Sequence, residues 1–325
     1  MPQRTAITFE EFMQRALYDP VHGYYTRRIT GVGHRGDFTT APMLSDAPAR
    51  AIAVWIRHAL RDTGCRHLIE IGPGEGRLSA AVLRHLPWHI RWKTRLHLVE
   101  NSAPLKEIQR KTLGNKATWH TTPAAALAAC DGNAVIFSNE LVDAFPVRRF
   151  QNTNDGWCEL ALKFLTDETP EEILLSPAPL PDSTSFSQTH PLDQWIEVHE
   201  SYHKWLLEWL PMWKRGKMLT IDYGATAQDL YHRRPRGTLR GYLLQQPVIG
   251  PAIYQNPGRQ DLTADVNFTD LMKWSAPWTR EQKLQTFAAF LKTHAPQADH
   301  PFTDEQSAGG AFLVLEETRK SAQAS

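Results

Sequence analysis

The segment Leu68-Ile-Glu-Ile-Gly-Pro-Gly-Glu-Gly-Arg77 restricts the fold of this chain more than any other, because an apolar run leads straight into glycines at 72, 74 and 76 and then into a helical pattern. Glycine is needed where a backbone turns sharply and where a ligand must approach main-chain N–H groups that a Cβ would shield. The segment therefore predicts a nucleotide-like ligand at the carboxyl end of a parallel strand. Its surroundings agree. Short apolar runs at 66–71, 95–100, 117–120 and 134–138 alternate with helical periodicity at 47–60, 78–85, 103–111 and 123–129. Consecutive parallel strands require such crossovers, so the fold class is α/β.

Spacing separates the cofactors. A dinucleotide fingerprint needs GxGxxG, and Arg77 stands where its last glycine would fall. At the end of the following strand Glu100 offers a carboxylate to the ribose hydroxyls of a cofactor. Strand, glycine loop, helix, strand and acid in this order are what S-adenosylmethionine (SAM) sites show. Gly72, Gly74, Gly76 and Glu100 are expected to hold SAM.

Outside this series, Thr8 with Glu11 fits a capping box that opens an N-terminal helix, followed by a Gly- and Tyr-rich stretch to Pro42 that reads as ordered loop. A hairpin is expected from 147–151 and 157–163 around Asn154-Asp155-Gly156. The stretch 170–191 reads as an excursion from the core, 192–213 as one helix, and 217–223 and 311–317 as strands. With 36 basic and 35 acidic side chains the formal charge is +1, which gives no long-range field toward nucleic acid or an anionic membrane. No apolar run reaches the roughly 18 residues of a membrane span. Cys65, Cys130 and Cys158 show no CxxC pairing and fit a reducing compartment. Residues 1–9 read as neither a secretory signal nor a transit peptide, so the expected location is cytoplasmic.

Five segments together resemble the MidA-like family of SAM-dependent methyltransferases, which includes the mitochondrial assembly factor for respiratory complex I. They are Tyr18-Asp-Pro-Val-His-Gly-Tyr-Tyr25 with Gly36-Asp-Phe-Thr-Thr-Ala-Pro42; Glu70-Ile-Gly-Pro-Gly-Glu-Gly76; Ser138-Asn-Glu-Leu-Val-Asp-Ala-Phe-Pro-Val147; Ile221-Asp-Tyr-Gly224; and Gly258-Arg-Gln-Asp-Leu-Thr-Ala-Asp-Val-Asn-Phe268. The resemblance implies a Rossmann-like sheet of seven strands with the last one antiparallel, plus N-terminal and inserted additions. Residues 1–46 are then an extension over the cofactor site, and 47–325 the methyltransferase domain with insertions near 147–215 and 225–280. Asp37 belongs to the segment that resembles the family's cofactor lid. The resemblance also implies protein arginine methylation.

Methyl transfer from a sulfonium is an in-line displacement, so the enzyme must align the acceptor, exclude water and take a proton. Carboxylates suit a guanidinium, which they hold bidentately. Asn139 and Glu140 end the fourth strand at the sheet edge where ligands of open α/β folds lie, and Asp143 follows within a turn. Asn139 is assigned to the cofactor, Glu140 and Asp143 to catalysis. A protein substrate is expected, and neither nucleic acid nor metal. Asp222, Asp261 and Thr263 are further candidates for the crevice or for loop and cap roles. Three other readings stay open. One is a small-molecule N- or O-methyltransferase, one a non-catalytic assembly factor on the same fold. The third is a zinc peptidase, because His199-Glu-Ser-Tyr-His203 matches HExxH.

Overall fold

The computed structural model describes residues 6–28, 46–164, 170–176, 179–244, 246–297, 301–306 and 308–320. They fall into two compact units. One, the sheet unit, is drawn from Thr30–Leu141, Trp205–Gly224 and Met272–Ser325; the other, the hairpin unit, from Met1–Ile29, Val142–Lys204 and Ala225–Leu271.

In the sheet unit the apolar runs become strands β1 (His67–Ile71), β2 (Arg95–Val99), β3 (Ala117–His120), β4 (Ala134–Asn139) and β5 (Lys217–Ala225), followed by β6 (Thr279–Thr286) and β7 (Phe312–Arg319). Their spatial order is β6-β7-β5-β4-β1-β2-β3. β1 through β5 are parallel, and β7 runs antiparallel to both β5 and β6. The order reverses at β1, whose neighbours are β2 and β4. That reversal is where open α/β sheets bind ligands, outside the carboxyl ends of the strands. Four helices form the crossovers and cover: α1 (Ala47–Thr63), α2 (Arg77–His85), α3 (Ala103–Leu113) and α4 (Pro123–Ala128). Ser102 caps α3 and Thr122 caps α4 through their hydroxyls, each with proline in the first turn. Leu68, Leu98, Val135, Phe137, Leu219 and Val314 from the strands pack with Ile52 and Ile56 of α1 into one buried core. Burying a side chain of the size of Phe137 contributes about 2–3 kcal/mol.

The hairpin unit is built on an antiparallel sheet. Gly156–Lys163 pairs with Ala6–Thr8, Arg148–Thr153 and Glu171–Leu175, and Arg148–Thr153 pairs with Trp195–Val198. A separate three-stranded sheet joins Arg240–Leu243 to Gln246–Val248 and Asp261–Thr263. The capping box forms as expected: Thr8 accepts from the Glu11 N–H at 3.2 Å, and Glu11 accepts from the Thr8 N–H at 3.0 Å. Helix Phe9–Tyr18 follows it.

Two expectations fail here. The stretch from 170 is not all excursion, since Glu171–Leu175 joins the sheet. The helix expected over 192–213 is a strand, Trp195–Val198, then helix Glu200–Trp209 and a short 3-10 turn. Trp195, Ile196, Glu197 and Val198 are all buried, and an aromatic and β-branched run covered on both faces is strand-forming. Among the described residues no helix is long and apolar enough to cross a membrane.

Candidate cofactor and acceptor site

At the carboxyl ends of the sheet, Gly72, Gly74 and Gly76 have φ of 67°, 53° and 76°, so alternate residues of the loop are left-handed. L side chains rarely adopt that conformation. A Cβ on Gly72 would also lie 2.7 Å from Leu141 Cδ1, whereas at Gly74 nothing of the chain lies within 4 Å. The open side of Gly74 leaves bare main chain with free space beside it. The loop is fixed from behind: the Gly72 N–H donates to the Val99 carbonyl at 3.1 Å, and Gln109 Nε2 donates to the Gly74 carbonyl at 2.7 Å.

The same Gln109 amide reaches Glu100 Oε2 at 3.1 Å, and the Ser102 N–H donates to Glu100 Oε1 at 2.8 Å. Each oxygen retains acceptor capacity for a hydroxyl. Burial raises the Glu100 carboxyl above its usual value, and these N–H donors pull it back. Bare glycine backbone on one strand and a positioned carboxylate at the end of the next fit the phosphate-free adenosyl group of SAM. Glu70, two residues before Gly72, was not singled out from the sequence. It is buried, accepts from the Ser79 hydroxyl, and burial raises its carboxyl to about 7. An acid inside an apolar strand was the available signal. Gln109 left no such trace, because only the folded chain brings α3 to the glycine loop.

β4 ends in Asn139, and Glu140 follows with φ of 52°. A non-glycine residue held there costs about 1–3 kcal/mol and persists only where its surroundings enforce it. The Glu140 N–H donates to the Ile221 carbonyl at 2.9 Å, and Asn139 Nδ2 donates to Glu140 Oε1 at 2.9 Å. Asp222, fully buried, accepts from the N–H groups of Leu141 at 3.1 Å and Tyr223 at 2.9 Å. Its visible work is to hold the loop that follows Glu140.

Asp143 belongs to the hairpin unit, Glu140 to the sheet unit. Within the hairpin unit the Asp143 carbonyl accepts from the Ala264 N–H at 3.0 Å. The Tyr25 hydroxyl donates to Asp261 Oδ1 at 2.7 Å, and the Tyr18 ring stacks on Tyr25 at 5.5 Å. Burial raises the Tyr25 phenol well above its usual value, with the charges of Asp261 and Asp143 adding to the effect. Aromatic faces beside carboxylates suit a cation. Nothing in the sequence announces the Tyr25–Asp261 pair, because its members lie 236 positions apart. Asp37 lies outside the described residues.

The HExxH match takes a form unlike a zinc helix. His199 precedes helix Glu200–Trp209, is buried, and burial lowers its imidazole to about 4. Glu200, which would be the general base, pairs with Arg148 and Lys204, each at 3.2 Å. Among the described residues no group of three His, Cys, Asp or Glu side chains is placed to hold a metal.

Residues 51–286 match a family of S-adenosyl-L-methionine-dependent methyltransferases. The chain belongs to the MidA-like family. Its cofactor is SAM, and it is a methyltransferase of that family. The protein arginine methyltransferase NDUFAF7 of Rattus norvegicus mitochondria is 28% identical over 300 residues, covering 82% of this chain and 66% of that protein. The Caenorhabditis elegans homolog of that protein is 26% identical over 295 residues, covering 81% and 66%. This MidA-like chain thus spans just under two thirds of the length of those relatives. A Burkholderia thailandensis protein crystallised with S-adenosyl-homocysteine has the same fold at a TM-score of 0.82 and 25% identity, over 97% of this chain and 88% of that one.

Proposed function

We propose that this chain transfers the methyl group of SAM to an arginine side chain of a protein, with Glu140 holding the guanidinium. The observation that carries the reading is the backbone of Glu140, a charged residue kept at φ of 52° at the mouth of the switch point. Strain of this kind collects where a side chain must be aimed. The names of the mitochondrial relatives, protein arginine methyltransferases, support the acceptor class. Bound SAM supplies an electrophilic methyl group on its sulfonium. Glu140 would orient the planar guanidinium through paired N–H···O bonds, leaving one nitrogen directed at the methyl carbon. As the N–C bond forms the methyl–sulfur bond breaks, the neutral thioether S-adenosyl-homocysteine departs, and the carboxylate would accept the proton that the methylated nitrogen gives up. Asn139, donating to Glu140 Oε1, fixes which way the carboxylate faces. A cytoplasmic setting belongs to the same proposal, supported by three buried, free cysteines, which suit a reducing compartment.

Host-cell proteins treated with labelled SAM provide the test. Wild type should label protein arginine, read by mass spectrometry. Glu140→Gln should retain SAM affinity by calorimetry and lose about 10²-fold or more in transfer. The same measurement on Asp143→Asn assigns that residue's share. Label on small molecules alone, or equal labelling by Glu140→Gln, would remove the assignment.

A further inference from the structure

The opposite end of the same sheet carries a second concave surface with inverted chemistry. Two adjoining grooves of about 440 Å³ and about 680 Å³ share Arg66 and Lys93 in their walls. His67, Trp92 and Arg95 complete the first, and no carboxylate lines either groove. Arg66, Lys93 and Arg95 are exposed, and no carboxylate pairs with them among the described residues. Of the two acids four residues from Arg66, Asp62 is already taken by Lys217 at 3.0 Å and Arg61 at 3.2 Å, and Glu70 is buried with the Ser79 hydroxyl on it. Trp92 in the wall of the first groove is 83% exposed, and Trp88, four residues earlier, is 74% exposed. The Trp92 N–H donates to the Trp88 carbonyl at 2.9 Å, closing one helical turn that places the two residues on the same face. Large aromatics left this bare in a folded unit mark a contact surface.

We infer that this groove docks an acidic segment of a protein partner, with an apolar side chain of that segment lying against Trp92. The groove opens at the amino ends of β1 and β2, whereas the glycine loop follows the carboxyl end of β1 and Glu100 that of β2. Along β1 the separation is about 13 Å at about 3.3 Å per residue, so an occupant here leaves the cofactor loop uncovered. Its cations repel an arginine-rich segment, so the methyl acceptor is not what it holds. Among anionic occupants, a bilayer is flat and would meet cations on a convex face, but here they line a concavity. Nucleic acid favours a strongly basic domain, and this chain carries a formal charge of only +1. Tryptophan and arginine together are the side chains that dominate protein interfaces.

The experiment titrates the full chain with a fluorescent glutamate-rich peptide containing phenylalanine, with its glutamine counterpart, with oligouridine RNA, and with phosphatidylserine vesicles. The acidic peptide is expected to bind, to shift tryptophan emission, and to weaken as salt rises. Arg66→Glu with Lys93→Glu and Arg95→Glu should weaken it about tenfold or more, as loss of complementary charge does, while SAM affinity stays unchanged. Trp88→Ala with Trp92→Ala removes only exposed side chains and should weaken the peptide while keeping its salt dependence. Tighter binding of RNA or vesicles, no binding of the peptide, or undiminished binding by the charge-reversed chain each overturns the inference.

Discussion

In the sheet unit the buried Glu70 rests on the Ser79 hydroxyl and Glu317 on Ser275 and Gln282, all neutral donors, whereas in the hairpin unit the buried Glu159, Glu197 and Asp265 rest on arginines. Glu197 accepts from Arg149 Nε at 3.2 Å and from the Thr238 N–H at 2.9 Å, and a Cβ on Gly237 would collide with it. The Arg149 guanidinium lies 4.4 Å from the centre of the Trp195 ring and donates to the Arg236 carbonyl at 2.7 Å. Glu159 takes Arg148, and Asp265 takes Arg234 and Arg240. A sheet that closes over aliphatic and aromatic side chains needs few polar contacts inside. The hairpin unit, made of short strands and long connections, adds buried ion pairs to contacts of the neutral kind such as Ser183 and Thr184 on Asp270. The two should therefore fail differently when a buried acid is altered.

The largest effect is expected in the hairpin unit. Glu197→Ala leaves Arg149 buried without its carboxylate and strips Thr238 of its acceptor, a loss of about 3–5 kcal/mol. Replacing both partners, Glu197→Leu with Arg149→Met, removes the stranded charge and should cost clearly less. Urea denaturation of the single and double variants measures the difference. A double variant as unstable as the single one would mean that shape rather than charge pairing holds these loops, and the contrast between the units would collapse.

A buried acid on neutral donors should instead make stability depend on pH. Burial raises the Glu317 carboxyl to about 7, with Ser275 and Gln282 pulling the other way. Between the ordinary glutamate value and about 7 the folded chain keeps a proton that the unfolded chain has released. Stability from this group is therefore complete at pH 4.5 and below and is lost as pH climbs to 7 and beyond. The size is on the order of 3 kcal/mol. His97, lowered to about 4 by burial, acts with the opposite sign, but it contributes equally to wild type and to a Glu317 variant. Glu317→Gln keeps an acceptor for Ser275 and should gain on wild type as pH rises from 5 to 8. Parallel denaturation midpoints across that range would show that Glu317 is ionised inside the fold without penalty.

The same contrast explains what could be read from the sequence. β1 through β4 are apolar runs between turn signals, so they and the glycine loop were legible. β6 was not, because Thr279-Arg-Glu-Gln-Lys-Leu-Gln-Thr286 is an edge strand with polar side chains on both faces. Trp195–Val198 was misread as helix since Trp195, Val198 and Tyr202 also fit a helical stripe. Only its pairing with Arg148–Thr153, through Gln151 and Phe150, makes it a strand. The arginine–carboxylate pairs of the hairpin unit join residues far apart in sequence, Arg149 to Glu197 and Arg148 to Glu159 among them, and no local pattern announces them. Glycines at 72, 74 and 76 and the acid at Glu100 could be singled out because their pattern is local. The left-handed backbone of Glu140 was invisible, since nothing in a glutamate predicts φ of 52°.

That backbone gives the smallest and sharpest prediction. If strain at Glu140 belongs to its function rather than to the packing of the sheet unit, stability and transfer should separate there. Glu140→Ala and Glu140→Gly both delete the carboxylate and the contact from Asn139, so each should lose transfer alike. They differ in the backbone alone: alanine keeps the cost of a left-handed φ, while glycine adopts it freely and pays only in unfolded-chain entropy. The glycine variant should be more stable than the alanine variant by about 1 kcal/mol. Denaturation midpoints of the pair, measured with SAM absent, read this without reference to activity. Equal midpoints would mean that the chain relaxes around residue 140 once the carboxylate is gone. The left-handed turn would then be held by the Glu140 side chain itself rather than imposed by the N–H bond to the Ile221 carbonyl and the Asp222 contacts beyond it.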